Sequence, residues 1–271
     1  MKPDLIIMDM DDTLMTSDNV VSKETKDYLI QIQEKGYQIA LASGRPTEGM
    51  IPVAEALAMD KHNSYIMSYN GAKTIDLKTK EVIASELISK ADFDDIVDYC
   101  RQHGLFTITY QDGHIIYEGN HEYMNIEAEI TGLPMKRVSD LKDFIQEPVP
   151  KAMGIDYESH ISELMSSLKG TFNDSISCTT SKPFFLEFMS AGVSKGKAIQ
   201  DLAQRLNLDV NQMIAFGDSA NDKEMFDVVG MPVAMDNAID LLKARAKMIT
   251  KSHDEDGIPH ALKKLIETAN M

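Results

Sequence analysis

Leu5-Ile6-Ile7-Met8-Asp9-Met10-Asp11-Asp12-Thr13-Leu14 is the stretch whose reading decides the fold. A short apolar run bounded by a polar cluster predicts a fully buried strand, and the strand's period of two sends Asp9 and Asp11 out on one side where it ends. Two carboxylates aimed at one point repel each other unless a shared proton or a hard cation lies between them. Mg²⁺ is the usual such cation where the substrate is a phosphate. Asp-x-Asp-Asp-Thr also reads as a simple turn capping the strand.

Outward from this strand, the pattern predicts a helix from about Ser22 to Lys35, with Ser22 as N-cap, Leu29 and Ile32 facing inward and Gly36 as the stop. Tyr37 to Ala42 returns to strand and ends at Ser43-Gly44-Arg45-Pro46, where Pro46 suits the first turn of the next helix. Strand, helix, strand in this span is a right-handed βαβ unit, so Ser43 falls on the same sheet edge as Asp9 and Asp11. Open α/β sheets bind ligands at the carboxyl ends of their strands. A third strand, about Tyr65 to Ser68, finishes at Tyr69-Asn70-Gly71-Ala72.

From about Ser85 the rhythm changes. Acidic amphipathic helices (about Ala91 to His103 and Ser159 to Leu168) alternate with short strands such as Phe106 to Tyr110, His114 to Tyr117 and Lys151 to Ile155, and Gln111-Asp112-Gly113 signals a tight turn. After Phe184-Phe185-Leu186-Glu187-Phe188, the segment Gly192-Val193-Ser194-Lys195-Gly196 leads into a helix carrying Ile199, Leu202 and Leu206. The α/β alternation then resumes: strand Met213 to Phe216, the loop Gly217-Asp218-Ser219-Ala220-Asn221-Asp222, strand Met231 to Met235, helix Ala238 to Ala246, strand Met248 to Thr250 and a helix from Ile258. The expected architecture is an α/β parallel-sheet core, 1–84 and 191–271, with an α+β domain, 85–190, inserted into it.

Bulk composition narrows the partners. The chain has 271 residues, 43% hydrophobic, and 43 acidic against 27 basic residues give a formal net charge of −16. Such a field repels nucleic acid and anionic membrane surfaces, and an anionic substrate must be held by a metal and a few placed cations. Cys100 and Cys178 lack metal-ligand spacing and read as buried thiols of a reducing compartment. Met1-Lys2-Pro3 runs straight into the first strand without a signal-peptide pattern, and no apolar run reaches membrane-span length. A soluble cytoplasmic protein, monomeric by default, is expected. The 18 methionines lie scattered in apolar runs, as core fillers do.

Four clusters thus share one sheet edge: Asp9/Asp11/Thr13, Ser43-Gly44-Arg45, Lys195 and Asp218/Asn221/Asp222. Singly, Ser43 reads equally as a helix cap, Lys195 as a surface lysine, and Asp218 and Asp222 as a turn and a cap. Together they supply what phosphoryl transfer to a carboxylate needs: a nucleophile, a metal cage, hydroxyl and N–H donors at a helix start, and a fixed positive charge. With Asp9 to Leu14, Ala42-Ser43-Gly44-Arg45-Pro46, Tyr69 to Ala72, Gly192 to Gly196, Gly217 to Asp222, Val233 to Ala238 and Asp256-Gly257-Ile258 in this order, the chain resembles the haloacid dehalogenase (HAD) superfamily. Within it, the likeness is to Cof-type (subfamily IIB) sugar-phosphatase-like hydrolases, which carry a large cap inserted late in a Rossmann-like core.

The resemblance implies a Mg²⁺-dependent phosphatase of small phosphorylated metabolites, sugar phosphates first among them, working through an aspartyl-phosphate. Asp9 would be the nucleophile and Asp11 the general acid and then base. Mg²⁺ would be held by the Asp9 carboxylate, the Asp11 backbone carbonyl and Asp218. Ser43 and Gly44 would bind phosphate oxygens, with Met10, Arg45, Asn70 and Asn221 around the phosphate or substrate, Lys195 neutralising phosphate and nucleophile, and Asp222 completing the shell. Many relatives have Gly in place of Asp12; Asp12 reads as tolerated and pointing away from the metal. The cap would exclude water and set specificity, through the loop before Phe184 and residues near Asp112, His114 and Tyr117. Three alternatives remain: a phosphohexomutase of the phosphomannomutase type, a phosphorylatable signalling module of the receiver kind, and a sugar-phosphate sensor without turnover. Only Arg101 and Arg137 occur in the insert, few for the second phosphate a mutase must hold.

Overall fold

The computed structural model describes residues 2–267. Strand β1 (Leu5–Met8) is buried at every position. The chain leaves the sheet at Asp9 and enters one wide turn, Met10–Leu14, in which Asp12 takes left-handed backbone at φ 56°. Strand alternation therefore does not carry Asp11 beyond the sheet beside Asp9, as the period of two had suggested. Asp11 belongs to the turn. A left-handed φ is open to Gly and tolerated by Asp, which accounts for Asp at position 12.

Helix α1 (Lys23–Glu34) starts where expected: the Ser22 Oγ accepts the Thr25 N–H at 3.0 Å, a cap contributing about 1 kcal/mol. β2 (Ile39–Ala42) and α2 (Thr47–Ala56) follow, with Pro46 as the N-cap rather than a residue of the first turn. After β3 (Ser64–Ser68) comes a hairpin absent from the sequence-based expectation, β4 (Lys73–Asp76) and β5 (Val82–Ser85). Its turn is built locally: the Asp76 carboxylate accepts the N–H groups of Lys78 and Thr79 at 2.8 and 3.1 Å.

The next elements are α3 (Lys90–Gln102), β6 (Phe106–Gln111), β7 (His114–Tyr117), α4 (Ile126–Thr131), β8 (Met135–Arg137), α5 (Leu141–Phe144), β9 (Ala152–Ile155), α6 (Glu158–Leu168), β10 (Ile176–Thr179) and β11 (Phe185–Ser190). Then α7 (Lys195–Leu206), β12 (Met213–Gly217), α8 (Lys223–Val228), β13 (Met231–Ala234), α9 (Asp240–Lys243), β14 (Met248–Ile249) and α10 (Gly257–Leu262) complete the described chain. None of the helices among the described residues is long and apolar enough to cross a membrane.

These elements form two compact units, one running to Ser85 and resuming at Ser194, the other Glu86–Val193. The first holds an eight-stranded sheet in the order β14-β13-β12-β1-β2-β3-β4-β5. From β14 to β3 every pairing is parallel, and β4 and β5 add an antiparallel edge. Both faces are covered, one by α1 and α10 through Leu29, Ile32, Ile258 and Leu262, the other by α7 and α8 through Ile199, Leu202, Met225 and Phe226.

The second unit is a six-stranded sheet, β10-β11-β9-β6-β7-β8, antiparallel except for β7 with β8. Asp112 and Gly113 both have positive φ (51° and 71°), the backbone a two-residue hairpin loop demands. Phe93, Ile96 and Cys100 of α3 and Ile161 of α6 pack on Leu186 and Phe188 of one sheet face. A polar network is also buried in this unit. Lys151 Nζ meets Glu187 Oε1 at 2.8 Å, the Oγ of Ser181, an exposed residue, donates to the same oxygen at 2.5 Å, and Tyr110 donates to Glu127 at 2.5 Å. Burial pushes the Glu127 carboxyl above its usual range, against the pull of Lys151 and Tyr110.

A buried pair is costly to break from one side only, because the partner is left charged and unsolvated. Glu187→Ala is expected to lower unfolding free energy by about 3–5 kcal/mol, whereas Lys151→Met with Glu187→Leu should come within about 1 kcal/mol of the parent or exceed it. Urea unfolding of the three proteins checks this.

Candidate active site

From β1 the chain moves through β2 and β3 to one side of the sheet, and from β12 through β13 and β14 to the other. The crevice at the carboxyl ends of β1 and β12 is thus the point where strand order reverses, the position at which such sheets bind ligands. Asp9 follows β1, Ser43 follows β2 and Asp218 follows β12, so the topology alone gathers three of the expected groups.

Lys195 is the centre of the arrangement. It is the first residue of α7, whose N-cap Ser194 accepts the Lys197 N–H at 3.1 Å, and its side chain is 0% exposed. Its Nζ lies 2.5 Å from Asp9 Oδ1 and 2.6 Å from Asp222 Oδ1. Burial opposes its charge, but the two carboxylates outweigh that and hold its pKa above the usual value. Two glycines allow the helix to sit this deep. A Cβ on Gly196 would lie 2.5 Å from the Glu224 carbonyl oxygen, and one on Gly71 (φ 99°) would lie 2.7 Å from that of Ser194.

Asp222 is fully committed to the protein. Besides Lys195, its Oδ2 accepts the N–H groups of Asp218 and Ser219 at 2.9 and 3.1 Å, the latter closing a capping box. Asp9 is 4% exposed, and its N–H donates to the Phe216 carbonyl at 3.0 Å, which ties β1 to β12 at the edge. Burial lifts the Asp9 carboxyl well above the usual range; Lys195 pulls it down, while Asp222 and Asp218 push it up. Asp218 is 8% exposed. Burial first, then Asp222 and Asp12, raise it to about 6, while Thr13 Oγ1, donating to Asp218 Oδ1 at 2.8 Å, works the other way.

Carboxylate oxygens of Asp9, Asp218 and Asp222 lie within 4.8 Å of one another. Since both Asp222 oxygens already accept from the protein, Asp9 and Asp218 are the pair left for a cation. Hard oxygen donors, buried and with raised affinity for a positive partner, fit Mg²⁺. The Asp12 side chain is 67% exposed and lies 3.6 Å from His253 Nε2.

Ser43 is buried; its N–H donates to Met67 O at 2.9 Å, its carbonyl accepts the Asn70 N–H at 2.8 Å and its Oγ accepts the Arg45 N–H at 3.1 Å. Asn70 Oδ1 accepts from Asn221 Nδ2 at 3.0 Å, so the loops after β3 and β12 meet. Gly44 lies against Asn70, whose amide would be 3.3 Å from a Cβ there. Met10 is buried beside Asp9. Asp11, in contrast, is 54% exposed and ion-paired with Arg45. Asp112, His114 and Tyr117 lie on the β6–β7 hairpin of the other unit, where His114 Nδ1 bonds the Asp112 carbonyl at 2.8 Å.

Sequence reasoning attached no role to a set of residues that fasten the Asp9 loop and the segment that follows it. Asn237 Nδ2 donates to the Asp12 carbonyl at 2.8 Å while its Oδ1 accepts the His253 N–H at 3.1 Å. Asp254 accepts from the N–H and Oγ of Ser17 at 2.8 and 2.7 Å, and Asp256 accepts from Thr25 Oγ1 at 3.0 Å and from Ser22. The motifs Val233 to Ala238 and Asp256-Gly257-Ile258 were the available signal.

A family model for haloacid dehalogenase-like hydrolases matches residues 6–262. A Streptococcus pyogenes serotype M6 protein provisionally named a phosphatase is 32% identical over 267 residues, 97% of this chain and 98% of that one. A Bacillus subtilis 5-amino-6-(5-phospho-D-ribitylamino)uracil phosphatase is 27% identical over 285 residues, 96% of this chain and 97% of that one. The crystal structure of a haloacid dehalogenase-like hydrolase from Bacteroides thetaiotaomicron is 31% identical and matches 98% of this chain and 100% of that chain with a TM-score of 0.92.

Thr13 orients Asp218, the role an outer-shell hydrogen bond plays for a metal-binding carboxylate. If Asp9 and Asp218 hold Mg²⁺, Thr13→Val is expected to weaken its binding about 10- to 100-fold, and Thr13→Ser to restore it, as read by calorimetric titration of Mg²⁺.

Proposed function

The chain belongs to the haloacid dehalogenase-like hydrolases, and from that premise we propose that it is a Mg²⁺-dependent phosphatase of small phosphorylated metabolites, sugar phosphates first among them. The observation that carries the reading is the buried Asp9 carboxylate, held 2.5 Å from the Lys195 ammonium at the strand-order reversal. A nucleophile there is fixed, desolvated and partly neutralised, so a phosphate dianion can approach it.

In the proposed reaction a carboxylate oxygen of Asp9 attacks phosphorus, and the bond from phosphorus to the ester oxygen breaks. Asp11 gives its proton to the departing alkoxide. Asp11 then takes a proton from water, the water oxygen attacks phosphorus, and the Asp9 acyl-phosphate bond breaks to release inorganic phosphate. Ser43 and the Gly44 N–H hold phosphate oxygens, while Lys195 balances charge on both partners throughout. Asp9, Asp218 and the Asp11 backbone carbonyl would hold Mg²⁺, which would supply the further positive charge needed for two anions to meet.

We assign specificity to the inserted unit, Glu86–Val193. The named substrate of the B. subtilis relative carries its phosphate on a ribityl chain, which supports a sugar-like leaving group. Arg101 spends its guanidinium on Glu118 and Asp140 (2.7, 2.8 and 2.9 Å), which weighs against a mutase needing arginines for a second phosphate. The buried free thiols Cys100 and Cys178 suit a cytoplasmic location.

Phosphate release from a panel of hexose, pentose, triose, flavin, pyridoxal and nucleoside monophosphates is the test. The expected result is release that EDTA abolishes and Mg²⁺ restores, and that falls by at least about 10³-fold in Asp9→Asn. Isomerised sugar phosphate without free phosphate would replace this reading with the mutase; binding without turnover would replace it with the sensor.

A further inference from the structure

We propose that Arg45 is a positioning residue for Asp11 and not a ligand of the substrate phosphate; this rests on the reading of Asp11 as the acid and base of the reaction. The guanidinium is engaged edge-on with the Asp11 carboxylate, Nε lying 3.0 Å from Oδ2 and Nη2 2.5 Å from Oδ1. The same Nη2 donates to Asn19 Oδ1 at 2.9 Å. A two-point pair of this kind fixes direction as well as distance, which a lysine ammonium cannot do.

The asymmetry of the pair indicates which member serves the other. Arg45 is the anchored one, its side chain 15% exposed against 54% for Asp11. Its N–H donates to Ser43 Oγ at 3.1 Å and its carbonyl accepts the Tyr69 N–H at 2.9 Å, so its backbone is built into the loops after β2 and β3. Among the described residues Arg45 is the partner of the Asp11 side chain. Asp11 sits in a turn at the surface, where an unpartnered carboxylate would spread over several rotamers. General acid–base catalysis needs the carboxylate within hydrogen-bond reach of both the leaving oxygen and the attacking water. Arg45 confines it. Asn19, at φ 59°, is the third point of contact and fastens the turn that follows the Asp9 loop to the same guanidinium.

A residue acting through another loses its effect when that other is gone. In the parent protein Arg45→Gln is expected to lower kcat about 10²-fold, the lower end of what a positioned acid or base contributes, with KM and the inhibition constant of inorganic phosphate moving less than about threefold. In an Asp11→Asn background, followed through its residual turnover of p-nitrophenyl phosphate, Arg45→Gln should change neither constant by more than about twofold. Arg45→Lys should recover only part of the loss, since one ammonium cannot reproduce the two-point contact. An equal loss of phosphate affinity in both backgrounds would overturn the proposal and make Arg45 a phosphate ligand. A parent protein that releases no phosphate from any ester would instead sink the phosphatase reading on which it stands.

Discussion

A lysine with no exposed surface, held between two buried carboxylates, is the constraint on which the rest of the first unit depends. Removing an ammonium from water costs several kcal/mol unless good partners replace the solvent, and Lys195 obtains them from Asp9 and Asp222 at 2.5 and 2.6 Å. Those partners come from opposite halves of the sheet. Asp9 must end β1, Asp222 must cap the turn after β12, and α7 must start where Gly71 and Gly196 let it approach. The folding cost of burying the lysine is therefore met by the same contacts that place the Asp9 carboxylate.

This coupling explains why the loops around the site are tied so heavily. An acidic residue beside another acidic residue tends to move away or take up a proton, and Asp9, Asp218 and Asp222 lie within 4.8 Å. Asp222 is held by two backbone N–H groups, Asp218 by Thr13, and the Asp12 peptide by Asn237. Each bond is worth only about 1 kcal/mol net. Their joint effect is to deny the carboxylates the relaxation that would separate them, so the repulsion persists as affinity for a cation.

Much of this was legible in sequence because it is local. Ser22 and Gly36 delimit α1, Gln111-Asp112-Gly113 turns β6 into β7, and the alternation of strand and helix placed Asp9, Ser43 and Asp218 on one edge. What escaped depends on groups far apart in the chain or on backbone shape. Lys195 was expected at this edge, but its complete burial depends on an aspartate 186 residues away. The β4–β5 hairpin carries no Gly, Pro or Asn-Gly signal, its turn being made by the Asp76 side chain and by Lys80 at φ 62°. Asp11 was placed by strand period, and the left-handed Asp12 shows why that period stops: the strand has already ended at Met8.

The charge at the edge then bears on how an anion could enter it. Asp9, Asp11, Asp218 and Asp222 lie with Lys195 and Arg45 at this edge, four carboxylates against two cations, in a chain whose net charge is −16. Both cations are already paired, Lys195 with Asp9 and Asp222 and Arg45 with Asp11. A phosphate dianion approaching such an edge meets repulsion at short range as well as at long range. Protonating Asp9 would relieve it but would remove the proposed nucleophile. A divalent cation between Asp9 and Asp218 would relieve it while keeping Asp9 ionised, which is the charge balance the proposed dependence on metal would answer.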